Sequence, residues 1–420
     1  MRCGRFNGAS LVCAGALVLS CQSPAARTNA AKPAMPSSDP SPPNAPKTFE
    51  EDVAFLSAHA QLRVLTSPNG GRIAISPEYQ ARVMTSAVGV GKASLGFINR
   101  QFIEAGQRGT AFDNYGGEDR FWLGPEGGQF GLYFPPSKPF SFEFWQTPHE
   151  LQEGAWQERA ESPTSLTYAR VFSVTNYEQR RFEIEVERKL TLLSVEQASK
   201  NLGVSLPPSL SWVGFSSENQ LTNKGRDPWQ EASGLLSVWI LGMFAPVPGT
   251  QVIVPFETAA SGDIVNDAYF GKVPSERLLV NESKGFLAFR ADGKYRSKIG
   301  LGPARAKRAL GSYSEPAQLL TLVLYTKPSG ATRYVNSMWE RQTAPYAGDV
   351  INSYNDGPPA PGKPPLGGFY EIESSSPAAA LAPGQSLVHE HQTYHFTGPR
   401  AELEALARQV LGVSLSDLPR

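Results

Sequence analysis

The stretch LRVLTSPNGGRIAIS, residues 62–76, decides how the rest of the chain reads. Two short runs of β-prone residues flank Pro68-Asn69-Gly70-Gly71. Asn-Gly between such runs is the strongest short-range hairpin signal, because the favoured two-residue turn needs positive φ. Pro77-Glu78 turns the chain again, and residues 81–88 predict a third strand, so the segment is a meander. The period of two returns at residues 181–193. There Phe182, Ile184 and Val186 alternate with Glu183, Glu185 and Glu187. That pattern gives one buried face and one wet or functional face.

Further strands are predicted at 140–145, 165–174, 211–218, 234–244, 251–256, 278–290, 317–325, 370–373 and 393–396. Helices are predicted at 48–61, with Thr48 as the cap and Glu50, Glu51 and Asp52 in the first turn, at 195–202 and at 401–410. The last two are each followed by Leu-Gly-Val-Ser-Leu, a short echo at 202–206 and 411–415. No long helical segment separates the strands, which disfavours a parallel βαβ sheet. The expectation is an all-β chain: a large antiparallel β-sandwich with a few short peripheral helices, forming one domain over residues 48–420. Residues 355–367, rich in Pro and Gly, predict a long loop.

Residues 1–20 read as an export signal: Arg2 and Arg5, then an apolar run from Ala9 to Leu19 that is short for a membrane span. It ends in Leu17-Val18-Leu19-Ser20-Cys21, which resembles a bacterial lipobox with Cys21 as the lipidated residue. The alternative is ordinary secretion with cleavage elsewhere. The other two cysteines, Cys3 and Cys13, fall in the leader, so the exported body has no disulfide and no thiolate metal site. Residues 21–47 are mostly Pro, Ala, Ser and Asn and bury too little to order themselves; they predict a tether. By resemblance to the usual sorting signal, Gln22 points to the outer membrane, facing the periplasm. The only membrane contact expected is the lipid anchor. Net charge is zero and no basic run occurs, which speaks against nucleic acid as a partner.

No GxSxG, HExxH, P-loop or dinucleotide fingerprint is present, and no cofactor is expected. Val88-Gly89-Val90-Gly91-Lys92 lacks the P-loop spacing. The histidines are His59, His149, His389, His391 and His395. The last three share a strand parity and, with Glu390, are either a metal site or a polar strand face; no metal is assigned. In Tyr370-Glu371-Ile372-Glu373, the two carboxylates point the same way. They tolerate each other only in water, beside a cation or against sugar hydroxyls.

The second unusual stretch is NYGGEDRFWLGPEGGQFGLYF, residues 114–134. Its last part, 129–134, reads as a strand. The first part is too glycine-rich and too charged for a plain strand or helix.

Glu371 or Glu373, then Pro377, Leu381-Ala382-Pro383-Gly384-Gln385 and Tyr394-His395-Phe396 together resemble the C-terminal end of aldose 1-epimerases, the galactose mutarotase superfamily. The opening meander with Ile73-Ala74-Ile75 and Pro77-Glu78-Tyr79 is similar to theirs, as is Leu221-Thr222-Asn223-Lys224-Gly225. With Ser237–Phe244 and the glycine stretch included, the chain is still more similar to an uncharacterised group of bacterial lipoproteins near that superfamily. The resemblance implies a supersandwich that grips a sugar. It implies a glutamate base, matched by Glu371 or Glu373, and an arginine that holds hydroxyls, matched in order by Arg120. It also implies a histidine acid on the strand at 234–244, where this chain has none; Ser237, Trp239 and Met243 stand there. His149 and the C-terminal histidines are the remaining candidates for the acid.

Residues 114–129 are then expected to form one wall of a sugar cleft. Trp122 offers a flat face to a pyranose, Arg120 and Glu126 offer paired hydrogen bonds, Asn114 begins the wall, and the glycines allow close approach. The alternative is a structural loop with Arg120 paired to Glu118 or Asp119 and Trp122 in the core. Trp239, in an apolar run, reads as core. Three functions remain open: a carbohydrate-binding lipoprotein without full epimerase activity, an aldose 1-epimerase-like isomerase with a relocated acid, and a structural envelope lipoprotein with no sugar.

Overall fold

The computed structural model describes residues 47–109, 111–152 and 154–419. Residues 1–46, with the expected leader, Cys21 and all of the expected tether but Lys47, lie outside the described residues. Thr48 caps the first helix, Phe49–Ser57, in a reciprocal capping box with Glu51. The meander forms as read: Arg63–Thr66, Arg72–Ser76 and Arg82–Ala87 pair in order as a three-stranded antiparallel sheet.

Two larger sheets make the body. The first has ten antiparallel strands in the order Leu278–Asn281, Phe286–Arg290, Gln251–Pro255, Ala309–Ser314, Leu319–Tyr325, Ser386–Thr397, Ser211–Asn223, Arg181–Leu192, Ser165–Thr175 and Gln157–Ser162. The second has five, in the order Ser297–Leu301, Ile351–Asn355, Tyr370–Ser375, Ser237–Phe244 and Arg120–Gly124. The chain is therefore all-β, built on large antiparallel sheets. On Arg181–Leu192, the buried residues Phe182, Ile184 and Val186 join Phe121, Val238 and Ile240 of the five-stranded sheet in one core. Period-two burial is what packs the two sheets face to face.

The helices Val195–Leu202 and Arg400–Leu411 bury Ala198, Leu202, Leu403, Leu406 and Leu411 in a further core. Trp212, Leu320, Leu322, Tyr394 and Phe396 of the ten-stranded sheet share it. The Leu-Gly-Val-Ser-Leu echo has a local cause. Gly203 and Gly412 each end a helix in the left-handed conformation, both at φ 71°, where a Cβ is unfavourable.

The space between the sheets carries buried polar groups. Arg188 pairs with Asp119, each 0 % exposed, and Ser217 donates to Asp119 at 2.7 Å. His395 meets Glu118 at 2.9 Å and Thr321 at 2.8 Å. His389 and His391 each meet the Ser374 hydroxyl at 2.8 Å. Burial pushes both of these imidazoles down to about 3, so they stay neutral. Among the described residues, no group of three His, Cys, Asp or Glu is placed to hold a metal ion.

Some expectations are corrected. Residues 140–145 are not a strand; a short 3-10 helix, Phe142–Phe144, stands there. Residues 129–134 are not a strand either. They curl back so that Leu132 and Tyr133 donate to the carbonyls of Pro125 and Glu126. The strand of that stretch is Arg120–Gly124, paired with Ser237–Phe244. Its charge is tolerated because Arg120 finds a buried carboxylate. Residues 278–290 are a hairpin of two strands, and Gln157–Ser162, Ser297–Leu301, Ala309–Ser314 and Ile351–Asn355 are strands the pattern did not reveal.

Candidate functional site

The outward face of the five-stranded sheet is set by register. Trp122 lies opposite Trp239, Arg120 opposite Leu241, and Leu241 opposite Glu373. Met243 lies opposite Glu371, Glu371 opposite Tyr354, and Tyr354 opposite Lys298. Alternation keeps all of these on the face turned away from the ten-stranded sheet. Loop residues close over them. Arg120, Trp122, Glu126, Trp239, Lys298 and Glu371, with Phe142, Trp145, Phe270, Arg296, Trp339 and Phe369, line a cavity of about 60 Å³.

Each charged group on the sheet face has a partner. Arg120 donates to Glu371 Oε1 at 2.7 Å and lies 3.9 Å above the Trp122 ring. Lys298 donates to Glu373 Oε2 at 3.0 Å and stands 4.8 Å over Trp239. The Trp239 indole N–H also donates to Glu373, at 2.8 Å, and the Trp145 indole N–H to Glu126, at 2.8 Å. The two carboxylates of the 370–375 strand thus sit side by side because each faces its own cation.

Burial dominates the electrostatics. It pushes the Glu371 carboxyl up to about 7; Arg120 pulls the other way and the nearby Glu373 adds to the rise. Burial also raises Glu126, against the pull of Lys298. Burial alone would lower Lys298, but Glu373, Glu126 and Glu371 together hold it above its ordinary value. Burial lowers Arg120, opposed by Glu371. At neutral pH the site therefore holds an acid poised to gain or lose a proton beside two groups that stay cationic.

The structure brings Arg120, Trp122, Glu126 and Glu371 together at this cavity. Glu373, on the same face, does not line the cavity; it anchors Lys298 and Trp239. Asn114 does not line the cavity. Its amide donates to the Leu366 carbonyl at 2.7 Å and so holds the loop that carries Leu366 and Phe369. His149 lies at another cavity, with Arg108, Asp113 and Gln152. No histidine is among the residues that line the aromatic one. His389, His391 and His395 are buried on the far side of the sheet.

Arg120 pairs with Glu371 and not with Glu118 or Asp119. The glycines of the stretch are needed for close approach within the chain itself. Gly116 has φ 89°, and a Cβ there would stand 2.0 Å from the Phe97 carbonyl oxygen. A Cβ on Gly127 would stand 2.4 Å from the Met338 carbonyl oxygen.

Lys298, Arg296, Trp145 and Trp339 were not anticipated, and Trp239 serves the cavity as well as the core. One signal was present for the cations: Arg296 and Lys298 stand two residues apart where the strand Ser297–Leu301 begins.

A profile of the "Family of unknown function (DUF6786)" matches residues 47–420. No curated protein matches the chain in sequence. Among solved structures, the chain is similar to a candidate aldose 1-epimerase from Escherichia coli K12, with 12% identity, 80% of this chain and 99% of that one covered, and TM-score 0.48. It is also similar to a galactose mutarotase-like protein from Lactobacillus casei ATCC 334, with 10% identity, 80% and 100% covered, and TM-score 0.44. A galactose mutarotase related enzyme from Lactobacillus acidophilus has 10% identity, 81% and 99% covered, and TM-score 0.42. With TM-scores below 0.5, none of these carries an argument about the site, whose case rests on its own residues.

Proposed function

This chain belongs to DUF6786, a family of unknown function, and we propose that it binds carbohydrate on the outward face of the five-stranded sheet. The observation that supports this most is the meeting of Trp122, Trp145, Trp239 and Trp339 with the Arg120–Glu371 pair in one cavity. Sugar rings carry apolar C–H faces that lie on flat indoles, and hydroxyls that pair with carboxylates and guanidinium groups. A small organic cation fits less well. The lining already carries the positive charges of Arg120, Lys298 and Arg296, which repel another cation.

The cavity of about 60 Å³ holds a few waters and no pyranose as it stands. Entry therefore requires lining side chains to give way. The test is a thermal-stability screen of the purified protein with mono- and oligosaccharides. A ligand at a hundred times its Kd is expected to stabilise by about 2.7 kcal/mol. Trp239→Leu and Arg120→Ala are expected to weaken that ligand by about tenfold or more, the range for a lost charge-assisted or aromatic contact. If no sugar stabilises the wild type, the reading is wrong.

One observation favours a second reading, sugar isomerisation. Glu371 is pushed up to about 7 beside the donors Arg120 and Lys298, which suits a carboxylate that takes a proton from an anomeric hydroxyl. Proton NMR of anomer interconversion separates the two readings. An isomerase accelerates it and loses about 10²–10⁴ of that acceleration in Glu371→Gln; a binding protein leaves it unchanged.

We also propose that Cys21 is lipidated and tethers the chain in the cell envelope, at the outer membrane facing the periplasm. Leu17-Val18-Leu19-Ser20-Cys21 and the Pro/Ala/Ser-rich segment after it support this. In membrane fractionation, Cys21→Ala is expected to shift the chain from the membrane to the soluble fraction. Unchanged partitioning would defeat the proposal.

A further inference from the structure

Three cations line the aromatic cavity, and they are not equivalent. Arg120 has Glu371, and Lys298 has Glu373. Arg296, two residues before Lys298 and on the same side of the chain, has no carboxylate within ion-pair distance among the described residues. Its guanidinium lies 3.7 Å from the centre of the Phe270 ring, 5.1 Å from that of Phe142 and 5.8 Å from that of Trp339. Its Nε is buried with no hydrogen-bond partner. Its polar neighbour is the Tyr354 hydroxyl. The acid nearest along the sheet, Asp356, is already occupied. It accepts from the amides of Gly367 and Gly368, both at 2.8 Å, and from the Tyr354 hydroxyl at 3.0 Å.

A guanidinium held between aromatic faces has lost water from those faces and keeps its edge for a partner. Carboxylates and phosphates match that edge with two parallel hydrogen bonds. The cavity's charge balance points the same way. Arg120, Arg296 and Lys298 line it against only Glu126 and Glu371, so the lining leans positive even with both carboxyls ionised. Building on the carbohydrate reading, we propose that the bound sugar is acidic and that Arg296 receives its anionic group. Two sources share that chemistry, the carboxylate of a uronic acid and the phosphate of a sugar ester.

Isothermal titration at pH 7 tests this with glucose, glucuronate and glucose 6-phosphate, and with galactose and galacturonate. The titrations are made against the wild type, Arg296→Gln and Arg296→Lys, each first checked for an intact fold by circular dichroism. At least one acidic sugar is expected to bind the wild type about tenfold or more tightly than its neutral parent, the range for a charge-assisted hydrogen bond. That preference is expected to fall below about threefold in Arg296→Gln and to survive in part in Arg296→Lys, which keeps the charge but not the planar fork. Whether glucuronate and galacturonate or glucose 6-phosphate carries the preference identifies the source. If neutral and acidic sugars bind the wild type equally, or the preference persists in Arg296→Gln, the role of Arg296 is refuted while carbohydrate binding stands. If none of the five binds, the acidic-sugar proposal fails, and the wider saccharide screen decides the carbohydrate reading by itself.

Discussion

Arg188→Met is expected to lower the unfolding free energy by about 3–5 kcal/mol, the range for breaking one partner of a buried ion pair. The pair with Asp119 lies between the two large sheets, with both side chains 0 % exposed. Asp119 is held also by the Ser217 hydroxyl, and Arg188 reaches the Gln80 and Asp119 carbonyls at 3.4 Å. Burial acts against both charges: it raises Asp119 and lowers Arg188, each only partly offset by the partner. Removing Arg188 leaves a buried carboxylate without its paired cation, and the penalty is that group's desolvation more than the lost attraction. The double variant Arg188→Met/Asp119→Asn is therefore expected to regain at least about half of the loss, since neither charge remains to be buried. Urea titration followed by circular dichroism measures this, provided the slope is unchanged between variants. A single-variant loss below about 1 kcal/mol would show that the pair is not the buried contact described.

Glu371→Gln is expected to flatten the stability of the fold between about pH 4.5 and 7. The carboxyl of Glu371 rises from an ordinary 4.5 to about 7 in the folded chain. Between those values the folded state keeps a proton that the unfolded state has released. Raising the pH through that window therefore favours unfolding, at up to about 1.4 kcal/mol per pH unit. The contribution is favourable below the window and is lost by its upper end, on the order of 3 kcal/mol in all. Glu126 and Asp119 are raised by burial too. The difference between wild type and variant isolates the one group, because glutamine does not titrate. Parallel stability curves for the two proteins from pH 5 to 7 would refute the shift.

Much of the scaffold was legible because its signals are local. Asn69-Gly70 marks a turn, the Phe182-Ile184-Val186 alternation a half-buried strand, and Thr48 the start of a helix. The 140–145 segment misled because its aromatic residues have strand propensity. In a 3-10 turn, however, residues three apart eclipse, and Phe142 and Trp145 stack at 9° over the cavity for that reason. Ser297–Leu301 escaped notice because Lys298 and Gly300 break its apolar pattern. The first lines the cavity, and the second has no room for a Cβ beside Asp349 and Asn352.

Arg120, Trp122, Glu126 and Glu371 were visible as charges and an indole set in glycine or apolar surroundings. Their partners were not, because Trp145, Arg296, Lys298 and Trp339 come from distant segments. Pairing of Arg120 with Glu371 across 251 residues leaves no trace in spacing.

The aromatic floor has an optical consequence. Of the seven tryptophans in the chain, four border the cavity. They form a continuous series: Trp239 to Trp122 at 5.6 Å, Trp122 to Trp145 at 6.2 Å, and Trp145 to Trp339 at 6.3 Å between ring centres. At such separations, excitation absorbed by one indole migrates to its neighbours before it is emitted. The series therefore glows as a unit, and a molecule that touches any one member alters the light of all four. The residues proposed to grip the ligand are also a built-in reporter of its arrival.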